Sequence, residues 1–391
     1  MKIKKIVAAF SMLSIMIMPS VGLAQTPTVV GTGLTKGVGG NAPIIKAKWE
    51  MNGPVAAALV TGGTAADDYP ALQYSQFNPP MTNANNKTIS ICGVVYDTAL
   101  TDVHGVYGDV YYPDTTALGP NHPADRQGCG TMLGSECTMV AVGDKNVAWD
   151  LFCSKVRNNN TGALPLFAAN ESFDTICNEQ DGWIKKDVAM VYCCDKTISY
   201  EDPSGVYDVD VWAQSNGNAT SDKLSNEFLY QEGTALQADF TSIAYGPATL
   251  GNWVTLPGNV TFLAGDGRPT VRNVGNTRLT VAVAQDDMGM NDRDVSGTTT
   301  WNVHYRAKVS TAGTYTSYDP IGKKSIALAP TNNYTALNLP INLSSDDEVD
   351  FGVMVDKFET AGPFTGKLWL EGQAAAHLTD CSNIIPATHG N

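Results

Sequence analysis

The sequence predicts an all-β chain of two tandem antiparallel β-sandwiches, the first with a cysteine-rich, partly helical insertion. Short runs of alternating apolar and polar residues follow one another from Thr88 to about residue 373. A period of two is typical of strands with one buried face, and the glycine, proline and asparagine clusters between the runs are typical of turns. All eight cysteines lie beyond residue 90, and an even number of cysteines in an exported chain indicates disulfides.

The first residues have the pattern of a secretory signal peptide. Three of the first five residues are lysines, an apolar run covers residues 6–23, and a small-x-small cleavage pattern ends at Ala24. We therefore expect residues 1–24 to be removed on export. A retained membrane anchor is the alternative, but the apolar run is marginal in length for a span. The prediction is a secreted or cell-surface protein with no transmembrane segment in the mature chain.

Residues 25–87 are rich in small and turn-forming residues and are predicted to form an extended leader or linker. The stretch Ala42–Met51 is the exception, because its composition allows it to pair as a strand. Two alternatives are a first strand followed by a long loop, and a donated strand that completes a neighbouring subunit. At the other end, residues 374–391 form a polar tail without a hydrophobic anchor signal.

The first sandwich is predicted over residues 88–232. Its clearest strand is Gly205–Ala213, in which Tyr207, Val209 and Val211 share one face. An insertion over residues 113–187 separates the candidate strands, and a loop of this length is either functional or independently crosslinked. Other β-rich runs of this unit are Ile89–Tyr96 and Gly105–Tyr112.

Within the insertion, Asn146–Arg157 is predicted to be a short amphipathic helix. Its apolar side would carry Val147 and Leu151, together with Trp149 or Phe152. The polar run that begins at residue 158 is expected to end the helix.

The pattern Gly205-x-Tyr207-x-Val209-x-Val211-x-Ala213, followed by Gly217-Asn218, resembles the penultimate strand of bacterial and archaeal Ig-like domains. The resemblance implies that the tyrosine ties a corner by donating a hydrogen bond back to the preceding turn. It also implies that the segment 226–230 is the closing strand. Both predicted sandwiches are therefore taken as Ig-like modules, which describes a fold and not a function.

Residues 236–373 are predicted to form the second sandwich. Two strands within Pro269–Val283 flank an asparagine-glycine turn, a long strand covers Thr300–Val309, and Phe364–Leu370 closes the unit. The turn and the closing run are loosely similar to secreted filament proteins of the TasA and camelysin kind. This resemblance rests on short motifs.

The cysteines are predicted to form disulfides rather than a zinc site, because no closely spaced chelating pair occurs. Cys193 and Cys194 are adjacent in a predicted strand, so their side chains point to opposite faces and need different partners, one in the sandwich and one in the insertion. Cys92 is the natural partner in the sandwich, and which of the two it takes stays open. The candidates are Cys92, Cys129, Cys137, Cys153, Cys177, Cys193, Cys194 and Cys381.

Removal of the signal peptide leaves 22 basic and 39 acidic residues, a formal charge of −17. This acidity excludes nucleic acid and anionic lipid as natural partners and is compatible with divalent cations. Closely spaced oxygens near residue 290 match the first half of a calcium loop, whereas Val303 stands where a bidentate glutamate would belong. A solvated loop is the alternative, and no other cofactor is predicted. The calcium candidates are Asp286, Asp287, Asp292, Asp294 and Ser296.

The chain shows no motif that indicates catalysis. Its five histidines belong to no zinc or nucleophile motif, and it has no nucleophile elbow, phosphate-binding loop or dinucleotide fingerprint. We therefore predict that it is not an enzyme. Seven N-x-S/T sequons are glycosylation candidates where the host has the machinery. They are Asn86, Asn159, Asn170, Asn218, Asn259, Asn333 and Asn342.

The leading hypothesis from the sequence is a secreted or cell-surface structural and adhesive protein. Its insertion would be the interaction surface, and its partners would be an extracellular protein, a glycan or further copies of the chain. A strand-donating extracellular filament subunit is the first alternative. A carbohydrate-binding module or secreted hydrolase is the second.

Overall fold

The computed structural model describes residues 42–61, 75–80, 82, 85–113, 132–157, 165–200, 202–295, 298–324, 333–341, 345–358 and 362–375. The predicted signal peptide and almost all of the predicted C-terminal tail lie outside these residues. Among the described helices, none has the length and apolar character needed to cross a membrane.

The described part of the chain is mostly β. Its first half contains the strands β1 Ile44–Asn52, β2 Ser75–Phe77, β3 Asn86–Tyr96, β4 Val103–Tyr111, β5 Cys137–Ala141, β6 Leu166–Phe167, β7 Ala189–Ser199, β8 Gly205–Ser215 and β9 Leu224–Tyr230. The helices are α1 Val55–Thr61, α2 Lys145–Trp149 and α3 Phe173–Cys177, with a 3₁₀ turn at Leu100–Asp102 and a π-helical segment at Asp150–Val156.

The second half contains eleven described strands and no described helix. They are β10 Leu236–Ala238, β11 Trp253–Leu256, β12 Thr270–Asn273, β13 Leu279–Gln285, β14 Asp292–Val295, β15 Thr298–Trp301, β16 Val303–Val309, β17 Thr316–Tyr318, β18 Thr335–Ala336, β19 Asp346–Val355 and β20 Leu368–Ala374.

The strands of the first half form one nine-stranded sheet in the order β2-β9-β8-β4-β5-β7-β3-β1-β6. Neighbours are antiparallel except β2 and β9, which are parallel. The short strand β5 connects the two halves of the sheet, because it pairs with β4 on one side and β7 on the other. The sheet curls at this point, so that Ile89 and Ile91 of β3 share an apolar core with Val209 of β8.

The opposite face of β1, β3 and β7 is covered by the insertion. Leu151, Phe152 and Ile176 pack in one apolar cluster with Trp49 of β1 and Val191 of β7. Full burial of each such side chain stabilises the fold by about 1.5–3 kcal/mol. The later part of β3 is buried on both faces, and its sequence from Ile91 to Tyr96 has no polar side chain that marks a solvent-facing side. The described part of the insertion therefore acts as a structural layer.

The nine-stranded sheet and its insertion layer form the first unit, and this unit begins earlier in the chain than the sequence predicted. The segment 25–87 was expected to be an extended leader, whereas β1 lies inside the sheet between β3 and β6. Its apolar residues Ala47, Trp49 and Met51 face the insertion layer. This correction follows from long-range pairing, since the partner strand β3 starts more than thirty residues after β1 ends.

The predicted helix of the insertion forms, but its apolar side differs from the expectation. Asp144 caps α2 by accepting hydrogen bonds from the backbone N–H groups of Asn146 and Val147 at 2.8 and 3.1 Å. Val147 is 38 % exposed, whereas Leu151 and Phe152 are buried. The π-helical segment changes the angular spacing of residues, so a face assigned with the α-helical period is wrong for Val147.

The strands of the second half form separate sheets. One has the order β10-β12-β19-β16-β17, with β11 also paired to β19, and another has the order β18-β13-β20. The strands β14 and β15 form a two-stranded ribbon. Val283 of β13 packs with Tyr305 of β16 and Phe351 of β19, so the two larger sheets share one core.

Two strand predictions for this half need correction. The strands β12 and β13 flank the predicted turn, but they do not pair with each other and belong to different sheets. The run Thr300–Val309 is divided between β15 and β16 at Asn302, whose buried amide donates a 2.8 Å hydrogen bond to the carbonyl oxygen of Met290. The coarser prediction of a mostly β chain is confirmed, whereas this pairing does not establish two tandem Ig-like sandwiches.

The turn between β12 and β13 joins the two halves of the chain. Asn276 is buried there, and its amide accepts from the backbone N–H of Gly233 and donates to the carbonyl oxygen of Gln231, both at 2.7 Å. Its own carbonyl oxygen accepts a 2.7 Å hydrogen bond from the backbone N–H of Ser204. The asparagine that predicted a hairpin turn is therefore a junction residue.

Candidate functional site

A groove of about 1370 Å³ lies in the second half of the chain. One wall is the irregular segment 240–248, which follows β10, and the other is the segment 362–370, which leads into β20. The floor is formed by the ends of β13 and β19 and by the methionines that follow β13. The groove thus lies where the two sheets of this half separate.

The groove is lined mainly by apolar and aromatic side chains. Phe358 and Phe364 stack at its mouth with their ring centroids 5.8 Å apart, and Phe358 is 38 % exposed. Met288 and Met290 form part of the floor, where flexible thioethers can adapt to different shapes. Other large apolar lining residues are Phe240, Ile243, Val353, Val355, Leu368, Trp369 and Leu370.

The polar groups of the floor are uncharged. The Gln285 side-chain oxygen accepts a 3.3 Å hydrogen bond from the Tyr245 hydroxyl and a 3.5 Å hydrogen bond from the Tyr318 hydroxyl. Burial raises the pKa of both tyrosines, so the two hydroxyls keep their protons at neutral pH. The floor can therefore exchange hydrogen bonds with a ligand without presenting a charge.

One wall of the groove includes an edge strand. In the described part of the chain β20 pairs with β13 alone, and β13 continues the sheet to β18. Leu368, Trp369 and Leu370 begin this strand and also line the groove. An edge strand beside an apolar groove is the geometry in which an extended peptide can add to a sheet.

The predicted calcium ligands Asp286 and Asp287 are both buried and accept backbone hydrogen bonds. Asp286 accepts from the N–H of Met288 at 3.0 Å. Asp287 accepts from the N–H groups of Gly289 and Lys324 at 2.8 and 2.7 Å. Both carboxylates therefore stabilise the turn that follows β13, a role that requires no metal ion.

The other calcium candidates do not join them in a described cluster. Asp292 forms a 3.0 Å ion pair with Lys323, and the hydrogen bond from this lysine lowers the pKa of Asp292. The side chains of Asp294 and Ser296 lie outside the described part of the structure. Within that part, no group of three or more histidine, cysteine, aspartate or glutamate side chains is arranged to hold a metal ion. Calcium binding stays a prediction.

Three disulfides join cysteines within the described residues of the first half. Cys193 is joined to Cys92 across the paired strands β7 and β3, and Cys194 is joined to Cys137 at the start of β5. The two adjacent cysteines therefore have partners on opposite faces of β7, one in the sandwich and one in the insertion, as strand alternation predicts. The third disulfide, Cys153–Cys177, closes the insertion. Cys129 and Cys381 lie outside the described residues.

The sequons have different exposures. Asn86, Asn170, Asn218 and Asn333 are exposed. The half-buried Asn259 donates a 2.7 Å hydrogen bond to Asp266 and accepts hydrogen bonds within its own loop. Asn159 and Asn342 lie outside the described residues. The geometry thus leaves four described asparagines accessible to a modifying enzyme.

The two described histidines have no catalytic setting. His104 is exposed. The Nδ1 atom of His304 contacts Asp319 at 2.6 Å, and its Nε2 atom lies 3.5 Å from Asp356. His304 therefore belongs to a network of polar side chains in the second half.

Two features were missed by sequence reasoning. The groove was missed because its walls include the segments 240–248 and 362–367, which lie far apart in the sequence and are irregular in the structure. The buried charges Lys48 and Glu50 were missed because charged residues in an alternating strand are normally assigned to solvent. A usable signal was present, since two opposite charges two residues apart lie on one face of a strand whose other face is strongly apolar.

No protein-family model and no curated protein matches the chain. Among solved structures, the C-terminal domain of the Streptococcus agalactiae AgI/II polypeptide BspA is 12 % identical and covers 81 % of this chain and 91 % of its own, with a TM-score of 0.17. BcpA, the major pilin subunit of Bacillus cereus, is 10 % identical over 79 % of this chain and 66 % of its own, also with a TM-score of 0.17. An α-L-rhamnosidase from Dictyoglumus thermophilum is 9 % identical, and its alignment covers 76 % of this chain and 28 % of the rhamnosidase, with a TM-score of 0.14. TM-scores this low establish neither a shared fold nor a shared function.

Proposed function

We propose that the chain is a secreted or cell-surface structural and adhesive protein. In this proposal the crosslinked first half is a rigid body, and the groove of the second half binds an extended segment of an extracellular partner. The observation that carries the proposal is the composition of the groove. Among its described lining residues, the titratable side chains are Tyr245 and Lys367, and no carboxylate, imidazole or thiol is present.

This composition favours binding over catalysis. General acid-base and nucleophilic chemistry need a titratable or activated group within hydrogen-bond reach of the reacting atoms. The described lining instead offers phenylalanine, methionine and tryptophan surfaces above the neutral hydrogen-bonding floor at Gln285. Such a site suits the apolar side chains of a peptide, with Gln285 and the edge of β20 available to its backbone.

The crosslinks of the first half support the structural role. Two disulfides join residues 101 and 57 positions apart in sequence, and the third spans 24 positions. Together they tie β3, β5, β7 and the insertion to one another. Disulfides persist in oxidising compartments, which agrees with a location outside the cytoplasm.

The adhesive proposal is tested with the mature chain on arrays of extracellular peptides and glycans. We expect retention of peptides with apolar side chains, loss of retention in Phe358→Asp, and no loss in Leu263→Asp. Leu263 is an exposed apolar residue that does not line the groove, so it is a matched control. Retention that survives Phe358→Asp, or turnover of a glycan in a hydrolase screen, would count against the proposal.

A filament subunit is a second candidate, and the edge strand β20 is the observation that favours it. The stretch Ala42–Met51 cannot be the donated strand, since β1 is already paired within its own chain. Residues 25–41, which precede β1, are therefore the candidate donor. Electron microscopy of the mature chain and of a variant without residues 25–41 tests this candidate. Filaments that need this segment would support it, and monodisperse particles under all conditions would exclude it.

A further inference from the structure

Two buried charged side chains meet a half-buried asparagine in the first unit. Lys48 and Glu50 lie in β1, on the face opposite Trp49, and both are 0 % exposed. Asn226 lies in β9, which belongs to the other half of the curled sheet. Strand β1 is therefore in contact with a strand that it does not pair with. The first and last long strands of this unit meet at this group.

The three groups contact one another directly. The Lys48 Nζ atom donates a 2.8 Å hydrogen bond to Oε1 of Glu50 and a 3.0 Å hydrogen bond to the carbonyl oxygen of Val209, and it also contacts Oδ1 of Asn226. The Asn226 Nδ2 atom donates a 2.9 Å hydrogen bond to Oε2 of Glu50. One carboxylate thus touches both nitrogen atoms, the amine and the amide, and the amine lies against the amide carbonyl.

Stability alone is a poor explanation for this arrangement. Removing an ammonium and a carboxylate from water costs several kcal/mol for each ion, and apolar residues of similar volume often replace a buried pair without loss. A buried lysine amine beside a carbonyl carbon is, however, a nucleophile held next to an electrophile. Fixed proximity of this kind removes much of the entropic barrier to reaction.

We propose that Lys48 and Asn226 form an intramolecular isopeptide bond, with Glu50 as the proton carrier. Glu50 takes a proton from the Lys48 ammonium, and the freed lone pair of Nζ attacks Cγ of Asn226. The carbonyl π electrons move to Oδ1 and give a tetrahedral intermediate. Glu50 then passes its proton to Nδ2 and accepts the second proton of Nζ. The carbonyl re-forms as the Cγ–Nδ2 bond breaks.

The reaction needs no oxidant, reductant or further reactant. One Cγ–Nζ bond forms, one Cγ–Nδ2 bond breaks, and one molecule of ammonia leaves. Before the reaction the lysine ammonium carries three protons and the asparagine amide carries two. Afterwards the new amide carries one of these five protons, the ammonia carries three, and Glu50 carries one. The carboxylate oxygens at 2.8 Å from Nζ and 2.9 Å from Nδ2 are both within the distance that general acid-base transfer requires.

The bond would connect residues 178 positions apart and link the two halves of the curled sheet. A force applied to the termini of this unit would then act on a covalent bond between β1 and β9 as well as on hydrogen bonds. This consequence rests on the proposed structural role, but the bond itself can be tested without it.

The test is mass spectrometry of the folded mature chain after complete reduction and denaturation. We expect the intact mass to be lower than the sequence mass by one ammonia per chain. We also expect a branched tryptic peptide in which the Lys48 segment is joined to the Asn226 segment. Cyclisation of an N-terminal Gln25 also releases ammonia, so the branched peptide is the decisive measurement.

Three variants define the roles. Lys48→Met removes the amine and should abolish the branched peptide. Glu50→Gln keeps the size of the side chain and should leave the two peptides unlinked in protein that is folded by circular dichroism. Lys46→Arg is the matched control, because Lys46 lies in the same strand in a 2.8 Å ion pair with Glu171, and this variant should retain the branched peptide.

The outcomes separate the possibilities. Unlinked peptides from folded wild-type protein would refute the isopeptide bond. Lys48 and Glu50 would then be a buried ion pair. A branched peptide that forms equally fast in Glu50→Gln would overturn the role of Glu50. Either result could occur while the groove still binds peptides, so failure of this inference and failure of the proposed function are distinguishable.

Discussion

The hydroxyl of Tyr207 donates a 2.8 Å hydrogen bond to the carbonyl oxygen of Pro203, four residues earlier in the chain. The ring is fully buried and stacks on Phe228 of the neighbouring strand, with centroids 5.0 Å apart and planes 8° from parallel. The hydroxyl thus ties the turn before β8 to the core. This confirms the corner that the resemblance to Ig-like strands implied.

Removal of this hydroxyl should destabilise the first unit. Tyr207→Phe leaves the ring in place but leaves the Pro203 carbonyl without this donor. We expect the free energy of unfolding to fall by about 0.5–1.5 kcal/mol, the net contribution of one hydrogen bond, because Pro203 is half-buried. Denaturant unfolding followed by fluorescence measures the change. Tyr107→Phe is the control. The Tyr107 ring stacks on Trp212, and we expect this variant to lose much less free energy of unfolding. Equal losses in the two variants would contradict the corner.

The disulfide between Cys92 and Cys193 should stabilise the folded state more than the disulfide between Cys153 and Cys177. The first spans 101 positions and the second 24. Loop entropy in the unfolded chain grows with the logarithm of this length, which predicts a difference of about 1 kcal/mol in favour of the longer loop. Paired replacement by alanine, followed by denaturant unfolding, compares them. A larger loss for the short loop would show that native packing in the insertion dominates.

Asp347 should make stability depend on pH in an unusual direction. Burial is the main reason that its pKa is raised, with a further contribution from Glu348. The folded state therefore holds the proton more tightly than the unfolded state. The charged form costs stability at neutral pH, and stability is regained as the pH falls through the folded pKa towards the unfolded value.

We accordingly expect Asp347→Asn to raise the melting temperature at pH 7 and to have little effect near pH 3. Asp346→Asn is the matched control, since it removes the hydrogen bonds that Arg272 donates to Asp346 at 2.5 and 2.7 Å and should lower the melting temperature at pH 7. Differential scanning calorimetry at both pH values measures the effect. A destabilised Asp347→Asn variant at pH 7 would refute the burial argument.

The mouth of the groove should tolerate a charge without loss of folding. Phe358→Asp alters a side chain that is 38 % exposed, so we expect the free energy of unfolding to change by no more than about 1 kcal/mol. The fluorescence gain of an apolar dye such as bis-ANS should nevertheless fall, because the new charge interrupts the apolar surface of the groove. Leu263→Asp should leave the dye signal unchanged. The same signal in both variants would place the dye elsewhere on the protein.

Several features were predictable because they depend on neighbours in sequence. Alternation within β8 indicated the buried face of Tyr207, Val209 and Val211, and all three belong to the apolar core. The adjacency of Cys193 and Cys194 required partners on opposite faces of a strand. Strand geometry fixes side-chain direction locally, so these inferences needed no knowledge of the remainder of the chain.

Other features depended on contacts between distant residues. The pattern around Ala47 and Trp49 predicted a strand but not its position inside the first sheet, since the pairing partner and the covering insertion come much later in the chain. For the same reason, the sequence did not show that the two strands that flank Asn276 belong to different sheets. It also did not show the groove between segments 240–248 and 362–370. Local alternation reports which face is apolar, but not what covers it.

The amino-acid sequence was sufficient to establish a β-rich, disulfide-bonded chain with an acidic surface, because composition and short-range periodicity carry that information. The fold was needed to show that Lys48 and Glu50 meet Asn226. A charged pair on one face of a strand normally faces water, and only the curl of the sheet brings β9 over it. Chemistry between side chains depends on distances of a few ångströms, and those distances are set by the packing of the whole unit.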